Sequence, residues 1–166
     1  MIESQIRTWD VLDQRILDLV SVVKREQFVP VAHRGLAFAD MEIPIGHGAC
    51  MLAPKLQARM VQELGLKPTD RVLEIGTGTG YVTALMARLS AHVYSVEIVP
   101  EFSETAARNL AAARISNVTL ERGDAADGRH ETGGNAVGEF LHRQLAALGV
   151  IDQLDDAGQH RIRTDR

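Results

Sequence analysis

Residues 71 to 81 read Arg-Val-Leu-Glu-Ile-Gly-Thr-Gly-Thr-Gly-Tyr, and this stretch decides the fold. A short apolar run leads directly into three glycines at alternate positions, Gly76, Gly78 and Gly80. Glycine suits a sharp turn that also lets a ligand approach the backbone, because a β-carbon would obstruct both. Since a helical pattern begins at Tyr81, the stretch predicts a strand, a glycine turn and a helix. Such a triplet is also compatible with a tight turn that binds nothing.

The residues that follow continue this alternation. Helical patterns cover residues 81–89 and 100–114, and strand patterns cover residues 92–96 and 118–121. Strands that alternate with helices are typical of a parallel sheet with crossover helices. The sequence therefore predicts a β-α-β-α-β arrangement, which is an α/β fold with three parallel strands.

Two acidic residues stand where the second and third predicted strands end. Glu97 lies 21 residues after Gly76, where a carboxylate can accept hydrogen bonds from two ribose hydroxyls. Asp124 follows the third strand and can receive the exocyclic amine of a purine. Open α/β sheets bind ligands outside the carboxyl ends of their strands, so we expect one crevice for a nucleoside ligand there.

The ligand expected in this crevice is not a nicotinamide dinucleotide. Dinucleotide folds place their third glycine one position later, where this chain has the bulky Tyr81. Glu74, two residues before the first glycine, suits the cationic amino-acid end of a nucleoside better than it suits a pyrophosphate. A nicotinamide dehydrogenase remains a third alternative, which calorimetry with both cofactors distinguishes.

The residues before the sheet, 1–68, predict a segment of helices and loops that packs on the core. Asp13 can cap a helix whose apolar positions recur at three- and four-residue spacing, and Phe28-Val29-Pro30 ends it. Residues up to Gly48 form a loop in this interpretation. A second helix begins at Pro54 and stops at Gly65. The two apolar stripes are Ile16, Leu17, Val20 and Val23 in the first helix, and Leu56, Met60, Val61 and Leu64 in the second.

Bulk properties exclude several classes of protein. With 166 residues, of which 45% are hydrophobic and 24% charged, the chain has the composition of one globular domain. A net charge of −4 offers no basic stripe for nucleic acid. The longest apolar runs are too short to span a membrane, and the first residues lack the features of a secretory signal. Because Cys50 is the single cysteine, we expect no disulfide and a cytoplasmic location.

The last stretch, residues 129–166, differs in character from the rest. It opens with a turn-rich run, and its one clear period predicts a short helix at Phe140, Leu141, Leu145 and Leu148. No strand pattern is visible, so this tail is expected to be a short helix or disordered. Its histidines, His130, His142 and His160, lack companion cysteines and ligand-like spacing, and no metal site is expected.

Residues 72–81 resemble the first motif of the protein-L-isoaspartate O-methyltransferases. Upstream, Phe28-Val29-Pro30, the pair Ala39-Asp40 and residues 43–48 are similar to that family's N-terminal segment. Downstream, Asn117-Val118 and Gly123-Asp124 match its later signature. The resemblance covers about residues 1–128.

This resemblance implies a Rossmann-like S-adenosylmethionine-dependent methyltransferase fold, here limited to its first three strands, in residues 69–128. It also implies methyl transfer from S-adenosylmethionine to the carboxylate of isoaspartyl residues in damaged proteins. By position, the cofactor-binding residues are Gly76, Gly78, Gly80, Glu97 and Asp124, joined by Glu74 from the argument above. Carboxylates are ionised at neutral pH, so no catalytic acid, base, nucleophile or metal is expected.

Two departures from the family pattern shape the functional expectations. In the run Cys50-Met51-Leu52-Ala53-Pro54, Leu52 stands where the family has a hydroxyl. His47 and Cys50 are residue types that can form a nucleophilic pair, but they lack a visible orienting partner, so no such role is expected. Beyond Gly128 the family's apolar fourth strand is missing, as expected of a truncated or frame-shifted product. We therefore expect impaired methyl transfer. The alternative is a non-catalytic relative that acts as a binding or interaction module. Such a module would form a homo-oligomer through the exposed edge of its sheet.

Overall fold

Helices and strands alternate along most of the chain. The computed structural model describes residue 6, residues 10–125 and the backbones of residues 151–154 and 160–162. In chain order the elements are α1 (Gln14–Val22), the 3-10 helices Arg25–Gln27 and Val31–Leu36, β1 (Ile43–Gly46), β2 (Ala49–Met51), α2 (Pro54–Glu63), β3 (Arg71–Ile75), α3 (Tyr81–Ala87), β4 (His92–Glu97), α4 (Pro100–Ala112), β5 (Val118–Arg122), β6 (Ile151–Leu154) and β7 (His160–Ile162). No helix among the described residues is both long and apolar enough to cross a membrane.

A sheet of three parallel strands forms the centre of residues 10–125. Its strand order is β3-β4-β5, and both neighbouring pairs are parallel. This confirms the α/β prediction and its β-α-β-α-β order, with strand ends that differ from the predicted ones by a residue. In the register of the first pair, Glu74 lies opposite Ser95, and in the second pair Glu97 lies opposite Arg122.

The two crossover helices lie on one face of this sheet. Both connections step in the same direction through the strand order, so right-handed crossovers place α3 and α4 on the same side. On that side Val72 and Val93 are buried, together with Leu85 of α3 and Ala106 of α4. Burial of these apolar side chains is the main favourable contribution to the stability of the unit.

Helix α1 forms where its cap and its apolar stripe predict it. The Asp13 carboxylate accepts a hydrogen bond from the Arg15 backbone amide at 2.9 Å, which satisfies one of the free donors of the first turn. The predicted stripe is buried and joins the core. The helix ends at Val22, before Phe28-Val29-Pro30, because the chain turns there into the 3-10 helix Arg25–Gln27.

Residues 31–48, predicted to be a loop, contain regular structure. A 3-10 helix at Val31–Leu36 is followed by β1, which pairs antiparallel with β2. The turn between the strands holds three successive residues at positive φ, Gly46, His47 and Gly48. Strands of four and three residues are too short to show an alternating pattern, and Pro44 within β1 argues against a strand. These two features explain why the hairpin was missed.

Helix α2 begins at Pro54 as predicted, but it buries a different face. Its buried residues are Pro54, Gln57, Ala58 and Val61, whereas Met60, part of the predicted stripe, is 49% exposed. The stripe was therefore wrong in part. A polar residue, Gln57, lies inside because it has a buried partner, which an apolar pattern cannot reveal. Gly65, at φ +56°, follows the helix.

Residues 125–166 form a second compact unit, distinct from residues 1–124. The structure describes β6 and β7 in it, paired antiparallel. The sequence predicted no strand in this part of the chain, and that prediction was wrong. Strands of four and three residues carry too few side chains to show an alternating pattern. The helix predicted around Leu145 and the histidine side chains lie outside the described residues. The three-part division of the chain stays a prediction.

Candidate functional site

The carboxyl ends of the three parallel strands lie side by side. The Gly76 amide donates to the Val96 carbonyl at 2.8 Å, and the Gly123 amide donates to the Glu97 carbonyl at 3.1 Å, so strand pairing continues up to the turns. The glycine turn leaves β3 at this edge and the acidic residue Glu97 ends β4. The structure thus brings the glycine turn, Glu74 and Glu97 together, as the sequence predicted.

The three glycines of the turn have different surroundings, although all have positive φ. Gly76, at φ +87°, has open space where a β-carbon would stand. At Gly78 a β-carbon would lie 3.4 Å from the Cδ1 atom of Ile45, and at Gly80 it would lie 3.1 Å from the Cβ atom of Ala106. The need for glycine at position 80 is therefore explained by close packing between α3 and α4. A cofactor-binding role for Gly80 stays a prediction.

Glu97 holds the turns at the ends of two strands. One carboxylate oxygen accepts from the Gly78 amide at 2.8 Å and the other accepts from the Val99 amide at 2.9 Å. The residue is only 5% exposed. A carboxylate has about four acceptor sites, so it can receive further donors beside these two. The predicted ribose contact stays a prediction that this geometry accommodates.

Glu74 lies in a network of hydroxyl groups that the sequence analysis missed. Its Oε2 atom accepts from the Ser95 hydroxyl at 2.6 Å and from the Thr83 hydroxyl, and Ser95 also contacts the Thr77 hydroxyl at 2.6 Å. Desolvation raises the pKa of Glu74 to about 7, the two hydroxyls lower it in part, and the charge of Glu97 raises it further. The carboxyl group thus holds its proton to a higher pH than an exposed glutamate does.

This hydroxyl network follows from the register of the sheet. Ser95 lies directly opposite Glu74 on the neighbouring strand, and Thr83 reaches the same oxygen from α3. Ser95, a small polar residue inside the apolar strand β4, was the signal in the sequence that could have indicated this network. Its partner Glu74 is known only once β3 and β4 are aligned.

Asp124 lies two residues beyond the end of β5. Asp124 is exposed, and its side chain is not without a partner in the structure. Its position fits the predicted edge of the sheet. The contact with a purine amine stays a prediction.

The hairpin of β1 and β2 covers one side of the glycine turn. Besides the approach of Ile45 to Gly78, the Met51 sulfur lies 4.0 Å from the Thr79 hydroxyl oxygen. At the hairpin tip, the His47 ring meets the Phe102 ring edge-on, with 5.3 Å between the centroids. The hairpin therefore contacts both the turn and the first turn of α4, a role that the sequence did not reveal.

His47 and Cys50, which were not expected to act as a nucleophilic pair, each contact a different carboxylate in the structure. The Nε2 atom of His47 lies 3.9 Å from a Glu101 carboxylate oxygen, whereas the Cys50 thiol donates to the Glu42 carboxylate at 3.3 Å. That hydrogen bond raises the pKa of the Cys50 thiol. A thiol held in its neutral form is a poor nucleophile. In residues 10–125, no group of three or more metal-binding side chains is found.

The chain matches a family of known proteins over most of its length. The family model described as Protein-L-isoaspartate(D-aspartate) O-methyltransferase covers residues 1–159. The match therefore continues beyond residue 128, where the resemblance was expected to stop. The strand and glycine motifs that carry the resemblance all lie before residue 128, which explains why the sequence analysis limited it to about residues 1–128.

Curated relatives carry the same description. A protein-L-isoaspartate O-methyltransferase from Methanothrix thermoacetophila is 45% identical over 123 residues, which cover 72% of this chain and 59% of the relative. One from Protochlamydia amoebophila is 36% identical over 161 residues, covering 91% of this chain and 77% of the relative. The chain spans 51% of a relative from Anaeromyxobacter and 60% of one from Klebsiella pneumoniae.

Solved structures agree with the fold. A protein-L-isoaspartate O-methyltransferase structure superposes with a TM-score of 0.60 at 30% identity, covering 72% of this chain and 40% of that one. A Plasmodium falciparum chain described as the same enzyme, in complex with S-adenosyl-L-homocysteine, gives a TM-score of 0.62 at 21% identity, over 76% of this chain and 63% of that one. The sheet and its flanking helices thus form the fold of S-adenosylmethionine-dependent methyltransferases. On the family match and the identities of its relatives, the chain belongs to the protein-L-isoaspartate O-methyltransferase family.

Proposed function

We propose that this chain binds S-adenosylmethionine at the ends of β3, β4 and β5 and acts in methyl transfer to isoaspartyl carboxylates of damaged proteins. The observation that carries the proposal is the open space at Gly76 beside two carboxyl groups, Glu74 and Glu97. Support comes from the relatives named protein-L-isoaspartate O-methyltransferase and from the related fold with bound S-adenosyl-L-homocysteine.

The residues at the strand ends fit the cofactor in three respects. A ligand can approach the backbone at Gly76, since nothing lies within 4 Å of the position that a β-carbon would take. Glu97 retains acceptor capacity for a pair of ribose hydroxyls. Glu74, with its raised pKa, gains from a cation nearby, because an ammonium group favours the ionised carboxylate. Gly78 and Asp124 complete the proposed set of binding residues, and Gly80 contributes indirectly by shaping the turn through its close packing on Ala106.

In this reaction the main task of the chain is to hold the methyl donor and the acceptor carboxylate in position. S-adenosylmethionine, when bound, supplies a methyl group already activated by a positively charged sulfur. The acceptor carboxylate is ionised at neutral pH, so no residue has to remove a proton from it. The glycine turn and Glu97 hold one reactant, and the hairpin provides a wall for the other. Such placement can contribute several kcal/mol, about 7 to 11 in favourable cases.

Substrates and location follow from the same proposal. The partners would be proteins or peptides that carry isoaspartyl residues, and Leu52 makes the acceptor side more apolar than the family pattern. We also propose a cytoplasmic location, because the exposed thiol of Cys50 is free, as is usual in reducing compartments.

Two measurements test the proposal. Calorimetric titration with S-adenosylhomocysteine should give saturable heat, and the variant Glu97→Gln should bind about 10- to 100-fold more weakly, since a hydrogen bond to a charged group contributes about 1.5 to 3 kcal/mol. The matched control Glu104→Gln changes an exposed carboxylate that pairs with Arg122, and should bind like the unmodified chain.

The second measurement follows transfer of a tritiated methyl group to an isoaspartyl peptide, with the ordinary aspartyl peptide as its control. Labelling of the isoaspartyl peptide alone supports the proposed acceptor. A chain that forms a dimer but gives no heat with the cofactor is instead a non-catalytic interaction module, and the proposal is then wrong.

A further inference from the structure

Arg25 is a buried cation whose role none of the arguments above explains. It lies in the 3-10 helix Arg25–Gln27, is only 1% exposed, and is the largest fully buried side chain among the described residues. Desolvation lowers the pKa of Arg25 to about 10, so the guanidinium remains charged at neutral pH. Within the described residues, no carboxylate lies at salt-bridge distance from it. A buried charge without such a partner is costly, and an apolar side chain would fill the space at lower cost.

The guanidinium instead joins three separate segments. Its Nε atom donates to the Ala37 carbonyl at 2.8 Å, one Nη atom donates to the Leu52 carbonyl at 2.8 Å, and the other donates to the Gln57 side-chain oxygen. Both carbonyls belong to connections that have no strand neighbour to satisfy them. The planar fork of arginine can reach all three acceptors at once, whereas the single ammonium group of lysine cannot.

The same guanidinium reaches the start of the helix that follows the glycine turn. Its central carbon lies 5.2 Å from the centroid of the Tyr81 ring, and the Phe28 ring meets Tyr81 edge-on with 5.5 Å between centroids. Tyr81 directly follows Gly80. Arg25 therefore connects the hairpin side of the molecule with the glycine-turn side.

Leu52 lies in residues 49–53, the segment from β2 to the start of α2, which contacts the glycine turn through Met51. The neighbouring residue Met51 is buried, and its sulfur lies 4.0 Å from the Thr79 hydroxyl. On one side, then, these residues are fixed through the Leu52 carbonyl by Arg25. On the other side they touch the turn through Met51.

The glycine turn has supports of its own. The Gly78 amide donates to Glu97 at 2.8 Å, and the Asn109 side chain donates to the Thr79 carbonyl at 2.9 Å. Neither bond involves Arg25. Removing the guanidinium fork should therefore loosen residues 49–53 while the turn keeps its shape.

We propose that Arg25 is a positioning residue, whose guanidinium fork fixes residues 49–53 against the glycine turn and so sets the wall against which the methyl acceptor binds. The assignment of that wall to the acceptor rests on the proposed function. The cofactor would bind to the glycine turn and Glu97. The hydrogen bonds of Arg25 go to other residues, and its guanidinium meets the Tyr81 ring just beyond the turn, a contact that the charged side chain of lysine can keep. Loss of the fork is thus expected to weaken acceptor binding and to spare cofactor binding.

The test compares Arg25→Lys with Arg88→Lys. Arg88 also donates to one backbone carbonyl, that of Ala113 at 3.2 Å, but it lies on the surface far along the chain from the hairpin. Amide hydrogen exchange in residues 50–53 should quicken about tenfold or more in Arg25→Lys and remain unchanged in Arg88→Lys. Exchange in residues 76–80 should remain within about twofold of the unmodified chain in both.

Ligand measurements on the same variants separate positioning from general stability. In Arg25→Lys the KM for an isoaspartyl peptide should rise about tenfold or more, while the cofactor Kd stays within about twofold. Equal acceleration of exchange in residues 50–53 and 76–80 would show a merely structural role and overturn the inference. If the unmodified chain gives no cofactor heat, the proposed function fails, and the exchange pattern alone still tests the hold of Arg25 on residues 49–53.

A measurement on the unmodified chain applies even if Arg25→Lys does not fold. Native-state exchange should show that residues 25–28 and 50–53 open together, with one opening rate, because one guanidinium bonds to both segments. Residues 46–48 at the hairpin tip should open sooner. Independent opening of residues 25–28 and 50–53 would contradict the inference.

Discussion

Alanine at two glycines of the turn should have opposite consequences. Both Gly76 and Gly80 have positive φ, +87° and +85°. An L-residue in that conformation costs about 1 to 2 kcal/mol. Gly80→Ala also places a methyl group 3.1 Å from the Cβ atom and 3.3 Å from the Cα atom of Ala106, whereas Gly76→Ala meets nothing within 4 Å.

The magnitudes follow from these contacts. Crowding of one methyl group in a packed interior costs about 1 to 3 kcal/mol, so Gly80→Ala should lose about 2 to 5 kcal/mol in total. Gly76→Ala should lose about 1 to 2 kcal/mol. Urea denaturation resolves the difference, which corresponds to a midpoint shift of about 1 M for a small domain.

Cofactor titration should reverse the order of the two variants. The new methyl group of Gly76→Ala would stand in the space proposed for the ligand, and we expect affinity to fall about tenfold or more. Gly80→Ala, measured under conditions where it is folded, should bind within about threefold of the unmodified chain. Equal losses of stability, or a larger loss of affinity for Gly80→Ala, would refute the division of roles.

The remaining predictions concern α2 and the pH dependence of stability. Val61→Ala should lose about 2 kcal/mol in urea denaturation, because Val61 is 1% exposed, whereas Met60→Ala should change stability by less than about 0.5 kcal/mol; equal effects would contradict the buried face seen here. Glu74 has a pKa of about 7 in the folded chain, raised from 4.5. Between these pH values the folded chain binds more protons than the unfolded chain does, so the contribution of Glu74 to the unfolding free energy should fall by about 2 to 3 kcal/mol from pH 4.5 to about 7. In Glu74→Gln this decrease should disappear, and an unchanged pH profile would show that another group causes it.

The sheet could be predicted because its signals are local. The run that ends at Ile75 is followed at once by glycine, and the later strands alternate with helical stretches of ordinary length. Glu97 was singled out because it stands at the expected distance from the glycines, and the structure confirms that it ends β4. Each of these features can be identified from neighbouring residues alone.

The contacts around the site depend on partners distant in sequence. Ser95 meets Glu74 only through strand register, and Gln57 is buried only because Arg25 lies opposite it. The hairpin was missed since its strands are shorter than any pattern that indicates a strand. A sequence pattern shows which side chains prefer the interior, but it does not show which of them meet.

Hydrogen exchange of the unmodified chain, with and without S-adenosylhomocysteine, tests the central claim most directly. The account predicts that the ligand slows exchange in residues 76–80 and 97–99, where the glycine turn and Glu97 would hold it, and leaves α1 unaffected. Saturating ligand that gives no protection at these residues, or protects only residues elsewhere, would contradict the claim that the three strand ends bind the cofactor.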